Sequence, residues 1–288
     1  AETCCAYNML KLSRALFFHE QDPQYMDYYE RALYNQVLGS KQDKPDAELP
    51  LVTYFIGLVP GHVRDYTPKQ GTTCCEGTGL ESATKYQDSV YFATADGDGL
   101  YVNLFSSSTL DWAEKGVSIT QTTNFPVEQG TTLTVTGKAT FDLHLRVPAW
   151  AQDGFEVTIN DRVLTRKFTP GTYTTISRVW RTGDTVRISM PFRLRVERAL
   201  DDPAKQTLFY GPINLVARDA RTTYLPIGLY RNAGLSGDLA GTLTPVENAP
   251  LRFTLDGVEI APFLEGTEDP THVYFQRVEP RVVFGNVD

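Results

Sequence analysis

At Lys85-Tyr86-Gln87-Asp88-Ser89-Val90-Tyr91-Phe92-Ala93 the hydrophobic period of the chain changes from 3.6 to 2 and does not change back. Downstream, residues 99–106, 117–123, 131–137, 139–147, 155–160 and 185–190 alternate or are rich in β-branched and aromatic side chains. Turn chemistry such as Asp96-Gly97-Asp98-Gly99 separates them, and a hairpin is the natural reading of that tetrapeptide. Short strands at this spacing predict a sandwich or barrel. A polar break at Asp201-Asp202-Pro203-Ala204-Lys205 precedes a second strand-rich region, which opens at residues 206–216 and closes near 273–284. Trp150 and Trp180 fall in strand contexts and are expected in the core.

Upstream of the change the pattern is helical. Ala6, Met9, Leu10, Ser13, Leu16 and Phe17 form a stripe of helical period, which predicts a helix from Thr3 to about His19. Asp22-Pro23 then supplies an N-cap and a first-turn proline, Met26, Tyr29, Leu33 and Val37 recur at helical spacing, and Gly39 closes a second helix. A Pro- and Gly-rich connection, with an apolar strip at 52–56, leads to Cys74, after which a third helical stretch runs to about Tyr86. The expected class is α+β multidomain. Residues 1–88 form a partial helical domain, 89–202 a first β-sandwich and 203–288 a second.

Thirty-five acidic against 27 basic residues give a net charge of −8, the wrong sign for holding phosphate backbones, so nucleic acid is not expected as a partner. No apolar run approaches the roughly 18 residues of a membrane helix, so membrane insertion is not expected either. Oligomeric state is not written in the sequence.

The four cysteines fall as two adjacent pairs, Cys4-Cys5 and Cys74-Cys75. With Glu2, the sulfurs of Cys4, Cys74 and Cys75 offer one carboxylate and three thiolates, the count and type of donor suited to tetrahedral zinc. Two disulfides and inert buried thiols fit the spacing as well. His62, in the loop before the second pair, is a candidate substrate contact, since loops held by a scaffold carry function. Glu76 is expected to support the start of the third helix.

The Glu2-Thr3-Cys4 start, Tyr29-Glu30-Arg31-Ala32-Leu33-Tyr34-Asn35, Tyr54-Phe55-Ile56-Gly57-Leu58 and Cys74-Cys75-Glu76-Gly77-Thr78-Gly79 resemble the bacterial β-L-arabinofuranosidase glycoside hydrolases. So do Leu145-Arg146-Val147-Pro148-Ala149-Trp150, Val179-Trp180-Arg181-Thr182-Gly183-Asp184 and Phe209-Tyr210-Gly211-Pro212, in the same order. The resemblance implies the C-terminal remnant of an (α/α)6 toroid followed by two β-sandwich domains. It further implies a retaining exo-glycosidase that acts on arabinose-containing oligosaccharides or glycans.

By position, Glu2, Cys4, Cys74 and Cys75 match the family's zinc ligands, Cys74 its nucleophile, and Glu30 and Tyr54 its sugar contacts. In the family the acid/base glutamate lies shortly upstream of the Glu-x-Cys motif, so this chain is expected to lack it and to be inactive alone. The expected setting is bacterial, secreted or periplasmic, with any leader outside this sequence. The rival reading is a non-catalytic carbohydrate-binding or structural module in which zinc or disulfides only clip the helices to the strands.

Overall fold

A computed structural model describes residues 2–44, 46, 51–66, 73–226 and 243–277. Helix α1 (Thr3–His19) has the length the sequence predicts. Its buried face is Thr3, Tyr7, Leu10, Ser13 and Phe17, whereas Met9 and Leu16, which the sequence stripe had included, lie on the open side with Leu12. Helix α2 (Pro23–Arg31) is capped by Asp22, whose side chain accepts from the Gln24 N–H, and it continues as a wider π-helical turn over Ala32–Val37. Met26, Tyr29, Leu33 and Val37 are all buried, as their spacing requires. They meet Leu10 and Phe17 of α1 in one core. Helix α3 (Cys74–Ser82) begins on the second cysteine pair itself.

The first β unit has nine strands: β1 (Tyr91–Ala93), β2 (Gly99–Val102), β3 (Ser108–Trp112), β4 (Val117–Thr122), β5 (Gly130–Val147), β6 (Glu156–Ile159), β7 (Arg162–Val163), β8 (Thr172–Arg181) and β9 (Thr185–Ser189). Strand β5 organises the unit. Its first half pairs with β4 and β9, its second half with β8 and, in parallel, with β2. The halves meet at Gly137, which has φ +103° and where an added Cβ would lie 2.4 Å from the Gly116 carbonyl oxygen. Only glycine allows that approach. Side chains from both halves of the sheet meet in one core that includes Trp112, Phe141 and Trp180.

The second β unit comprises β10 (Leu194–Arg198), β11 (Lys205–Tyr210), β12 (Ile213–Arg218), β13 (Thr244–Pro245), β14 (Phe253–Leu255), β15 (Val258–Pro262), β16 (Thr271–His272) and β17 (Phe275–Gln276). This corrects the expected boundary at 203. Strand β10 pairs with β11 across Asp201–Lys205, so the polar break is a hairpin turn inside the second unit, and the sheet changes between Ser189 and Leu194. The stretch at 206–216 that opens the second strand-rich region is likewise a hairpin, β11–β12, turning at Gly211. The closing stretch expected near 273–284 lies partly outside the described residues.

Candidate metal centre

Two helix starts bring the cysteine pairs together. At α3, Thr73 is the N-cap: its hydroxyl accepts from the Glu76 N–H, and the Glu76 carboxylate accepts in turn from the Thr73 N–H. Cys74 and Cys75 therefore occupy the first turn of a well-capped helix. At α1 the N-cap is Glu2, yet its carboxylate makes no capping bond. The strip around Tyr54 takes over: the Thr3 N–H donates to the Tyr54 carbonyl at 3.3 Å, the Thr3 hydroxyl to the Thr53 carbonyl at 2.9 Å, and Glu2 forms a bridge with Phe55. Glu2 is thus released from helix capping and turns toward the sulfurs.

The donor atoms of Glu2, Cys4, Cys74 and Cys75 all lie within 4.8 Å of one another. Cys4 Sγ is 3.5 Å from Cys74 Sγ and 3.1 Å from Glu2 Oε1, and Cys74 Sγ is 3.6 Å from the same oxygen. A zinc ion at about 2.3 Å from sulfur and about 2.1 Å from oxygen has tetrahedral edges of about 3.8 Å (S···S) and about 3.6 Å (S···O). The cluster therefore has the size and donor chemistry of a zinc coordination sphere, and the residues present fit the ion. All four cysteines are unbonded, which sets aside the disulfide pairing.

Without a cation, the thiols share protons among themselves. The hydrogen bond to Glu2 pushes Cys4 well above the ordinary thiol range, and the same bond holds Glu2 low. Burial raises Cys75, while hydrogen bonds with Tyr54 and Cys4 lower Cys74. Exposure divides the three sulfurs too: Cys75 is buried, Cys4 is half-buried and Cys74 is exposed. Three thiolates, a carboxylate and a divalent cation would leave two negative charges, facing two helix N-termini worth roughly half a positive charge each.

The Tyr54 hydroxyl lies 3.4 Å from Cys74 Sγ. His62 shares a cavity of about 180 Å³ with Tyr54, Phe55, Cys75 and Glu76. Its ring packs so tightly on Gly57 that an added Cβ there would lie 2.5 Å from Nδ1.

Glu30 is not brought to the cysteines, which corrects its assignment as a sugar contact. Its carboxylate is fully buried between α2 and the first β unit, where one oxygen accepts from Arg146 at 2.5 Å and the other from the Trp150 indole N–H at 2.7 Å. Arg146 also pairs with Asp27 and donates to the Asn103 carbonyl. Burial drives the Glu30 carboxyl upward against the pull of Arg146 and Trp150. Nothing in the sequence near Glu30 signals partners more than a hundred residues away.

A family model of the GH127 β-L-arabinofuranosidase catalytic domain matches residues 1–88, and one of the GH127 middle domain matches residues 99–192. A solved GH127 β-L-arabinofuranosidase from Geobacillus stearothermophilus T6 is 22% identical with a TM-score of 0.71, over 96% of this chain and 50% of its own. A GH127 β-arabinofuranosidase at 20% identity (TM-score 0.70, 96% and 49% covered) and a glycoside hydrolase at 17% (0.70, 96% and 52%) share the fold. The chain spans about half the length of these structures. No curated protein sequence matches it. The two GH127 models together take in well over half of the 288 residues, and the chain belongs to the GH127 β-L-arabinofuranosidase family of glycoside hydrolases.

Proposed function

We propose that Glu2, Cys4, Cys74 and Cys75 hold one zinc ion and that Cys74 is the nucleophile of a retaining hydrolase of β-L-arabinofuranosides, with an arabinose-containing glycan as substrate. The observation that carries this reading is the convergence of four soft and acidic donors, from two helix starts some seventy residues apart, within one coordination sphere. The helices are read as the remnant of an (α/α)6 toroid and the β units as two sandwiches, in keeping with the family.

Bound zinc would keep the thiols deprotonated and fix their direction. Cys74 is the exposed sulfur of the three, so it is the one a sugar can reach. Its thiolate attacks the anomeric carbon as the glycosidic C–O bond breaks, and the departing oxygen takes a proton from a carboxylic acid. Water then displaces the sulfur and returns a proton to that acid, so that configuration is retained. Tyr54, beside Cys74, and His62, in the adjoining cavity, are proposed to line the sugar site. Glu2 is turned to the sulfurs and Glu76 to the Thr73 cap, so neither flanking carboxyl is free to protonate the leaving oxygen. The isolated chain is expected to bind zinc without turnover.

The test has two readouts. Metal analysis should find one zinc per chain, lost in Cys75→Ser. N-bromoacetyl-β-L-arabinofuranosylamine should alkylate Cys74 in preference to Cys5, which is also exposed, and free arabinose should protect it. A metal-free wild type overturns the zinc reading. Labelling at Cys5, or labelling indifferent to arabinose, overturns the nucleophile and its sugar. Release of the aryl alcohol from an aryl β-L-arabinofuranoside by the isolated chain overturns the account of the acid.

A further inference from the structure

Cys5 is the thiol left out of the coordination set. It occupies the third position of α1, the place from which a side chain folds back toward the N-cap in a capping box. Here the N-cap is Glu2, and Cys5 Sγ lies 3.6 Å from Glu2 Oε2, whereas Oε1 faces Cys4 and Cys74. The two oxygens of one carboxylate are thus divided: Oε1 points into the sulfur cluster and Oε2 meets a thiol outside it. At α3 the third-position residue, Glu76, closes the helix cap; at α1 the same position holds the ligand instead.

We propose that Cys5 is a positioning residue. Its S–H donates to Oε2 and keeps Glu2 a one-oxygen ligand, aimed through Oε1 at the cation. A carboxylate with both oxygens free swings to two-oxygen binding or out to water, and the outer hydrogen-bond partners of metal ligands typically set affinity by roughly 10–100-fold. Cys5 is exposed, so replacing it leaves no hole in a core. This inference rests on the zinc reading above and deepens it.

The experiment uses zinc and cobalt(II) as probes on the whole chain, with zinc affinity from competition against a chromophoric chelator and the coordination set from the sulfur-to-cobalt charge-transfer band. Wild type should show the intensity of three thiolates. Cys5→Ala should keep that intensity and the same unfolding temperature without metal, yet bind zinc roughly 10–100-fold more weakly. Cys5→Ser, which restores a donor, should recover to within a few-fold of wild type. In a Glu2→Ala background Cys5→Ala should have no further effect, because its action runs through the carboxylate.

Unchanged zinc affinity in Cys5→Ala overturns the proposal. So does a band smaller by one thiolate, which would make Cys5 a ligand, and so does an undiminished effect in the Glu2→Ala background. A wild type that takes up neither metal fails at the earlier step and overturns both readings, so the two failures are told apart.

Discussion

Two clusters of charge lie within the first 150 residues, and they are built on opposite plans. At the helix starts, Glu2 and three thiols gather within 4.8 Å with no cationic side chain among them. At the junction of α2 with the first β unit, Glu30 and Asp27 are answered by Arg146, and the remaining Glu30 oxygen by the Trp150 indole. In the second set each Glu30 oxygen has a donor, and Glu30 and Arg146 are both fully buried. The first is short of positive charge, half open to solvent, and stable only with protons or a cation among its donors. That difference separates a carboxylate turned to a cluster of thiols from one that serves the fold, although in sequence Glu2 and Glu30 look alike.

The largest expected effect comes from breaking the complete cluster. Glu30→Ala leaves the fully buried Arg146 with one of its two acids, Asp27, which is partly exposed. Removing one partner of a buried pair costs about 3–5 kcal/mol. Thermal unfolding should show a matching loss, with metal content per folded chain unchanged. A variant that unfolds at the wild-type temperature would return Glu30 to the sugar site and erase the contrast.

The incomplete cluster should respond to supply rather than to deletion. Zinc that binds only the folded chain adds about 2.7 kcal/mol at a hundredfold excess over Kd. Addition of zinc to the chelated protein should therefore raise the unfolding temperature, a chelator should reverse the rise, and Cys75→Ser should abolish it. An equal response in Cys75→Ser would place the metal elsewhere.

What the sequence made legible follows the range of the forces involved. Helix α1 and the cap of α2 are local matters, settled by Asp22-Pro23 and by apolar spacing, and they are where the sequence puts them. The thiol cluster was legible through its chemistry, since soft donors of the right number sit in two pairs. The reading lost ground where distant pairing decides. Strand β8 is rich in Thr and Ser, yet Thr174, Ile176 and Trp180 face inward because the strand pairs along the second half of β5. The two stretches expected at 131–137 and 139–147 are one strand, β5, because the chain runs through Gly137 and uses the glycine to approach Gly116.

The motif around Glu30 teaches the same lesson. Glu30 meets the Arg146 and Trp150 of one quoted motif, while Asn35 donates to the Pro212 carbonyl of another and accepts from the Asn214 N–H. This segment of α2 and its continuation joins both β units. Every partner named for Glu30 and Asn35 belongs to the β units and none to the cysteine cluster.

A third group sharpens the contrast from the neutral side. His272 of β16 is fully buried, with Nε2 3.9 Å from Asp219 Oδ1 and with Arg221 nearby. Burial holds its pKa below the ordinary 6.5, against the opposing pull of Asp219. The folded chain thus favours the uncharged ring, whereas the unfolded chain protonates near 6.5, so the stability this group contributes is fully present above that pH. It is lost as pH falls through the lower, folded-state value, with a slope of at most about 1.4 kcal/mol per pH unit for one proton. His62 and His144 are also held low by burial, so the informative quantity is the difference between wild type and His272→Gln. In urea unfolding at pH 7 and pH 5.5 the variant should lose less stability on acidification than wild type does, by about 1 kcal/mol or less. Equal losses would mean that His272 takes up its proton as readily folded as unfolded, having found a counter-charge on folding as Glu30 does, and the distinction between paired and unpaired burial would not extend to the second β unit.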